Sequence, residues 1–310
     1  MMRVLVVGGC GAIGSFISYL LNAIGHDVTI LDREAKNCEE KNLKVLGIGE
    51  ARVKVCGYSQ LINKKFDQIV YAVKSYDLHE SIRLINKYNI RADVAFSLQN
   101  GLGSLKMLES KYRNVVGVVM FYGLEKIEKC VSKFNGGSKI VIGCKGDCEE
   151  LLSSWDSLSS TGVVVKKTNR IEDYIWLKAC INSAINPISA ILWRNNGYIL
   201  ENSEAFKLAV EICKETSEVA KRLGIKLPED PVNALIKTLK DTYNNCSSTI
   251  QDISKKKRTE LDAINLAIYE AGKKVGYLAK YNYFAYRIVS LIKKNLEGKP
   301  YPCNYRQTLT

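Results

Sequence analysis

A chain of 310 residues is long enough for two ordinary domains, each burying its own core, and 46% hydrophobic with 25% charged residues excludes a disordered or fibrous class. The formal net charge of +13 raises nucleic acid as a partner, but no RNP, helix-turn-helix or finger pattern accompanies the one dense run, Lys255-Lys-Lys-Arg258; a solvated basic face that attracts anionic small molecules is the better reading. With no signal-peptide pattern after Met1 and no apolar stretch near membrane-spanning length, a cytoplasmic chain without membrane or nucleic-acid partners is expected, and a homodimer is admitted.

Ten cysteines are scattered through apparent strands and helices, among them Cys10, Cys38, Cys56, Cys130, Cys180, Cys213 and Cys246. The close pair Cys144 and Cys148 lacks a second pair at zinc-ribbon spacing, and His26 and His79 lie far from it. No metal site is therefore expected, and most thiols are expected to be reduced, the intracellular disulfides of hyperthermophiles being the exception.

Arg3-Val-Leu-Val-Val7 is a short valine-rich run, the pattern of a strand buried on both faces. It leads into G-x-G-x-x-G at Gly9, Gly11 and Gly14, and amphipathic sequence follows from Ser15 to Ile24. That order supplies a tight turn, a backbone open to a pyrophosphate, and a helix N-terminus aimed at it. Gly9, Cys10, Gly11, Ala12, Ile13 and Gly14 are thus the candidate dinucleotide loop, ahead of an accidental glycine-rich turn.

The next strand, Asp27–Leu31, ends at Asp32-Arg33. An acid there accepts hydrogen bonds from the adenosine ribose and repels a 2′-phosphate, which favours NAD; the guanidinium of Arg33 could instead pair with that phosphate, which favours NADP. Short strands are expected at Leu43–Leu46 and Arg52–Cys56, then a buried strand at Gln68–Val73 ending in Lys74, and a helix over Leu78–Tyr88. Asp93–Leu98 reads as a strand ending in Gln99-Asn100-Gly101, before a helix to Tyr112. Polar residues at carboxyl ends of parallel strands make Lys74 and Asn100 ligand candidates, although Asn100-Gly101 is also ordinary turn chemistry. A run over Asn114–Met120, a strand at Lys139–Ile142, a helix over Cys148–Leu158 and a strand at Val163–Lys166 complete this half.

From Ile171 to Leu296 the pattern is helical, with apolar periodicity in Ala205–Arg222, Val232–Leu239 and Thr259–Lys274. The expected architecture is α/β: a Rossmann-type doubly wound sheet over 1–168, then an all-helical domain over 169–310, with a cleft between them. Just past the boundary, Trp176–Pro187 carries Lys178, Asn182 and Asn186 at steps of four on an apolar helix. That stripe reads as a site or as a snorkelling lysine with helix-ending asparagines. Pro187 predicts a break at Asn186, whose carboxamide would project from a bend. Further on, Ser247 or Ser248 reads as an N-cap, and Glu260 as a first-turn acid opening a helix.

The glycine motif, Lys74, Gln99-Asn100-Gly101, Lys178 with Asn182 and Asn186-Pro187, Asn196-Gly197, Ser247-Ser248 with Gln251-Asp252, and Glu260 together resemble the ketopantoate reductase (2-dehydropantoate 2-reductase) family over essentially the whole chain. The resemblance implies reduction of a 2-keto acid, ketopantoate, to pantoate with NADP or NAD. It implies Lys178 as general acid, Glu260 contacting substrate and positioning the lysine, and Asn100, Asn182, Asn186, Asn196 and Ser248 holding the substrate. Lys74 would then sit near the nicotinamide ribose and phosphates. Hydride arriving at C2 leaves an alkoxide-like oxygen that a cation with a transferable proton stabilises. Members of the family often have an arginine-bearing pocket with no acid before it, whereas this chain has Asp32 ahead of Arg33; Leu278-Ala-Lys-Tyr-Asn282 retains an asparagine but lacks the prolines usual before it. A reductase of another 2-keto acid, an opine-type dehydrogenase and a non-enzymatic dinucleotide sensor remain as alternatives.

Overall fold

The computed structural model describes residues 1–146 and 148–295. Leu296, where the helical pattern was expected to end, and the segment 299–310, which has no counterpart in the resemblance, lie outside the described residues. The chain divides into two compact units, one of Met1–Gln99 with Gly103–Glu172, the other of Asn100–Leu102 with the chain from Asp173 onward.

The first unit contains β1 (Arg3–Val7), α1 (Ala12–Ala23), β2 (Asp27–Leu31), β3 (Glu39–Leu46), β4 (Gly49–Cys56), β5 (Lys65–Tyr71), α2 (Leu78–Lys87), β6 (Arg91–Ser97), α3 (Ser104–Glu109), β7 (Val115–Glu128), β8 (Val131–Gly143), α4 (Glu149–Leu152) and β9 (Val165–Thr168). They form one sheet in the order β3-β4-β2-β1-β5-β6-β7-β8-β9. Its centre, β2-β1-β5-β6-β7, is parallel, as strands buried on both faces require. Two antiparallel hairpins, β3–β4 and β7–β8, make the sheet mixed, and β3 also pairs with β8. Phe16, Ile17, Leu20 and Leu21 of α1 pack with Val4, Val6 and Ile30 in the core beneath it.

Two sequence expectations change here. The run over 114–120 and the short strand expected at 139–142 belong to one long hairpin, whose register shifts between Met120 and Tyr122 and again before Leu124; bulges break the two-residue alternation by which a strand is recognised. The helix expected over Cys148–Leu158 is a single α-turn followed by 3₁₀ turns from Ser153 to Thr161. Ser153, Ser159, Ser160 and Thr161 each bond a carbonyl three residues back, a side-chain competition that disfavours a continuous α-helix.

The cysteines are also corrected. Disulfides join Cys10 to Cys130, Cys38 to Cys56 and Cys144 to Cys148, while Cys180 and Cys213 are free and buried. Cys10 and Cys130 are 120 residues apart in sequence, so only the folded sheet reveals the pair.

The second unit is helical: α5 (Ile171–Leu192), α6 (Asn196–Glu201), α7 (Ser203–Arg222), α8 (Pro231–Asp241), α9 (Ser248–Ser254), a π-helical turn (Asp262–Leu266), α10 (Ala267–Lys274) and α11 (Lys280–Asn295). Contrary to expectation, α5 has the length and hydropathy to cross a membrane, but 72% of its most apolar window is buried within the fold, the condition of a core helix. Trp176 and Ala179 pack with Val219 and Ala220 of α7, Ile264, and Ile268 of α10.

The break predicted at Asn186 is absent, since α5 continues through Pro187 to Leu192. Proline lacks the N–H that would have bonded the carbonyl of Ser183. Asn265 Nδ2 donates to that carbonyl at 2.9 Å instead, which supplies the missing bond from another element. The same amide donates to Asn282 Oδ1 at 3.0 Å, Asn282 Nδ2 donates to Glu215 Oε2 at 2.8 Å and to Thr216 Oγ1 at 3.1 Å, and the hydroxyls of Thr216 and Ser183 meet at 2.9 Å. This buried ring of polar groups ties α5, α7, the π-turn and α11 together. Asn282 is the asparagine retained in the Leu278-Ala-Lys-Tyr-Asn282 stretch.

Candidate active site

In the first unit, β1 ends beside β2 with Val7 paired to Leu31, so Gly8 and Asp32 leave the sheet side by side. Gly14 passes so close to the carbonyl of Gly8 that any Cβ there would overlap it, which is the close helix-to-strand approach the motif exists to permit. Gly11 is the N-cap of α1; no side chain caps that end and no acid occupies its first turn. Gly8, Gly11, Ala12 and Ile13 are partly exposed. An open helix N-terminus of this kind suits a pyrophosphate, so the residues present fit a dinucleotide.

Asp32 lies one residue past β2 with its side chain only 10% exposed, ion-paired to Lys129 at 2.8 Å. Burial pushes its carboxyl up, but hydrogen bonds from Lys129 and from the Glu34 N–H together hold it below the usual carboxylate range. Arg33, by contrast, is largely exposed and 3.9 Å from Asp77. Lys74 is the N-cap of a short 3₁₀ turn over Ser75–Asp77. Gln99, beside Asn100, donates to the carbonyls of Tyr71 at 2.7 Å and Val73 at 3.1 Å and accepts from Ser97 Oγ, tying the end of β6 to the end of β5, just ahead of Lys74.

In the second unit, Lys178, Asn182 and Asn186 lie on successive turns of α5. Burial lowers the Lys178 pKa to about 8, and the Glu260 carboxylate acts in the opposite direction. Glu260 is itself buried, just ahead of the π-turn rather than inside the helix it was expected to open. Asn100 reaches it: Nδ2 donates to Glu260 Oε2 at 3.3 Å, and Oδ1 is buried with no hydrogen-bond partner. The backbone explains the approach. Gly101 has φ of +86°, a Cβ on it would lie 2.8 Å from the carbonyl carbon of Ala263, and the Leu102 N–H donates to the Ala263 carbonyl at 2.8 Å. The Asn100–Leu102 segment is thus docked backbone to backbone on the π-turn.

Asn186 and Asn196 are buried, Asn182 and Ser248 partly so. Ser247, not Ser248, is the N-cap of α9, accepting from the Ile250 N–H. Its hydroxyl accepts from Ser189 of α5 at 2.7 Å, which brings the start of α9, and Ser248 with it, to the turn after Asn186. Asn196 Nδ2 donates to Thr242 Oγ1 at 2.9 Å, leaving Oδ1 buried without a partner. Three asparagine oxygens, those of Asn100, Asn196 and Asn265, are buried without a partner; the first two belong to the candidate set and suit a polar ligand. A cavity of about 460 Å³ lined by Arg258, Thr259, Asp262 and Tyr286 holds none of these candidate residues.

Asn100 is hydrogen-bonded to Glu260, whose charge acts on Lys178; Asn182 and Asn186 follow Lys178 along α5, and the glycine loop, Asp32, Arg33 and Lys74 belong to the other unit. Lys129, the π-turn and Asn265 were missed from sequence. Asn265 lay within the expected helix Thr259–Lys274, where a buried asparagine among apolar neighbours was the available signal.

The sequence pattern described as "Ketopantoate reductase PanE/ApbA" matches residues 5–147, and that described as "Ketopantoate reductase PanE/ApbA C terminal" matches residues 170–293. A curated relative from Pyrococcus horikoshii, named 2-dehydropantoate 2-reductase, is 33% identical over 303 residues, covering 96% of this chain and 99% of the relative. Among solved structures, a PanE/ApbA family ketopantoate reductase from Ralstonia eutropha JMP134 has a TM-score of 0.80 at 23% identity, covering 95% of this chain and 100% of that one. A D-mandelate dehydrogenase with NADH and anilino(oxo)acetate has a TM-score of 0.83 at 24% identity, covering 96% and 100%, and thereby shares the fold. Matched by both family patterns and by a full-length relative, the chain belongs to the ketopantoate reductase PanE/ApbA family.

Proposed function

We propose that the protein reduces 2-dehydropantoate (ketopantoate) to pantoate with NAD(P)H, a step toward pantothenate and coenzyme A, in the cytoplasm. The observation that carries this reading is Lys178: a half-buried lysine whose ammonium is desolvated enough that its pKa falls to about 8, with the Glu260 carboxylate acting in the opposite direction, on one helix with two carboxamides. Residues 1–168 bind the dinucleotide, and residues 169–310 together with Asn100 supply the groups that handle the keto acid.

When bound, the reduced dinucleotide supplies the hydride that adds to C2. Lys178 Nζ gives its proton to the ketone oxygen as charge develops there, so the product leaves as an alcohol and the lysine is restored from solvent. A pKa near 8 keeps the ammonium largely protonated at neutral pH yet a better proton donor than an unperturbed lysine. Glu260 favours the charged lysine, and Asn100 fixes Glu260 through its amide. Asn182, Asn186, Asn196 and Ser248 hold the carboxylate and hydroxyl of the substrate, with the unpartnered oxygens of Asn100 and Asn196 available to accept from a hydroxyl.

The test is oxidation of NADPH and NADH by the purified protein on addition of ketopantoate, against a panel of other 2-keto acids and of keto acid plus amine. Preferred turnover of ketopantoate supports the reading. Faster turnover of an unhydroxylated keto acid, formation of a secondary amine, or cofactor binding with no turnover would replace it by one of the alternatives.

A further inference from the structure

The turn between β7 and β8 reaches the glycine loop from a distant part of the sheet. Cys130, with φ of +62°, is disulfide-bonded to Cys10 between the first two motif glycines, and its N–H lies 3.4 Å from the Cys10 carbonyl oxygen. The residue before it, Lys129, is thereby placed against Asp32 at 2.8 Å and Glu34 at 3.1 Å. Lys126, on the same strand end, also acts on Asp32, and Arg33 lies alongside on the chain.

Asp32 is the residue that would face the adenosine ribose, if the glycine loop holds a dinucleotide as proposed above. An unopposed carboxylate there repels a 2′-phosphate. We infer that Lys129 is a specificity-determining residue: by cancelling the charge of Asp32 it admits a 2′-phosphorylated dinucleotide to a site where an unopposed Asp32 would favour the unphosphorylated one. Glu34 shares the ammonium, but its side chain is 69% exposed while that of Asp32 is 10% exposed, so the less hydrated carboxylate holds the stronger claim on it. The disulfide makes the contact a property of the folded loop rather than of a wandering surface lysine.

The test is titration of the whole protein with NADPH and with NADH, without substrate, reading the dissociation constant of each. Lys129→Met is expected to weaken NADPH about tenfold or more and to leave NADH unchanged or tighter, since removing one nearby charge from a poorly hydrated carboxylate is worth at least that factor. Lys129→Arg should keep the native ratio. Asp32→Asn combined with Lys129→Met should bring NADPH back to within about threefold of wild type, because no charge remains to be cancelled. The inference is overturned if Lys129→Met shifts both cofactors equally or neither, or if the double variant fails to recover NADPH. A wild-type protein that binds neither cofactor would instead defeat the assignment of the glycine loop, a separate result; thermal unfolding of each variant establishes that it is folded.

Discussion

Asn100 and Glu260, 160 residues apart in sequence, meet in one hydrogen bond of 3.3 Å, and the carboxylate that receives it is the one that acts on Lys178. Three residues on three separate stretches of chain are thereby connected, one pair by a hydrogen bond and the other by charge. Each is positioned by backbone: Lys178 by α5, Asn100 by the positive φ of Gly101, Glu260 by the π-turn that follows it.

A pH dependence follows with a definite sign. The general acid must carry its proton, so kcat/KM for ketopantoate reduction is expected to fall as pH rises through about 8, where Lys178 loses it. Oxidation of pantoate needs the neutral amine and should rise through the same range. Because the Glu260 carboxylate favours the ammonium, Glu260→Gln removes that support, and the descending limb should move to lower pH. A limb that moves upward in this variant would contradict the assigned coupling.

Gly101→Ala tests the docking of the Asn100 segment. Its φ of +86° and the nearby Ala263 carbonyl leave no room for a methyl group, so a loss of about 2 kcal/mol in stability is expected. Because Asn100 is carried by the same backbone, KM for ketopantoate should rise while NADPH binding in the absence of substrate stays near wild type. Unchanged melting temperature together with unchanged KM would show that the segment tolerates the displacement.

Asn265→Leu tests the ring of buried polar groups behind α5. It removes the donor to the Ser183 carbonyl, which Pro187 has left without its helical partner, and the donor to Asn282 Oδ1. Each buried group left unpaired costs about 1–3 kcal/mol, so denaturant unfolding should show a loss of about 3 kcal/mol. A loss well below 1 kcal/mol would mean that another donor reaches the carbonyl of Ser183.

Local pattern explains how much of this was legible beforehand. The glycine loop could be read because strand, turn and helix each have a short-range signature, and the Lys178-Asn182-Asn186 stripe because four-residue spacing on a helix is a one-dimensional statement. The family resemblance added Glu260, Asn196 and Ser248 as expectations. The approach of Asn100 to Glu260, the placement of Lys129 against Asp32, and the rescue of Pro187 by Asn265 are contacts between distant segments, which periodicity and composition do not encode. The disulfides were misjudged for the same reason, since Cys10 and Cys130 reside in elements that only the sheet brings together. Pro187 misled because the rule against proline in a helix concerns a missing hydrogen bond, and here a side chain from another element supplies one.

Lys178 is the residue on which the proposed proton transfer depends. The most direct measurement is steady-state turnover of ketopantoate by wild type and Lys178→Ala side by side, with the NADPH dissociation constant of each. The expected result is a fall in kcat of about a hundredfold or more with cofactor affinity within a factor of about three. Equal turnover by the two proteins, or loss of NADPH binding in step with loss of activity, would contradict the assignment of Lys178 as the proton donor.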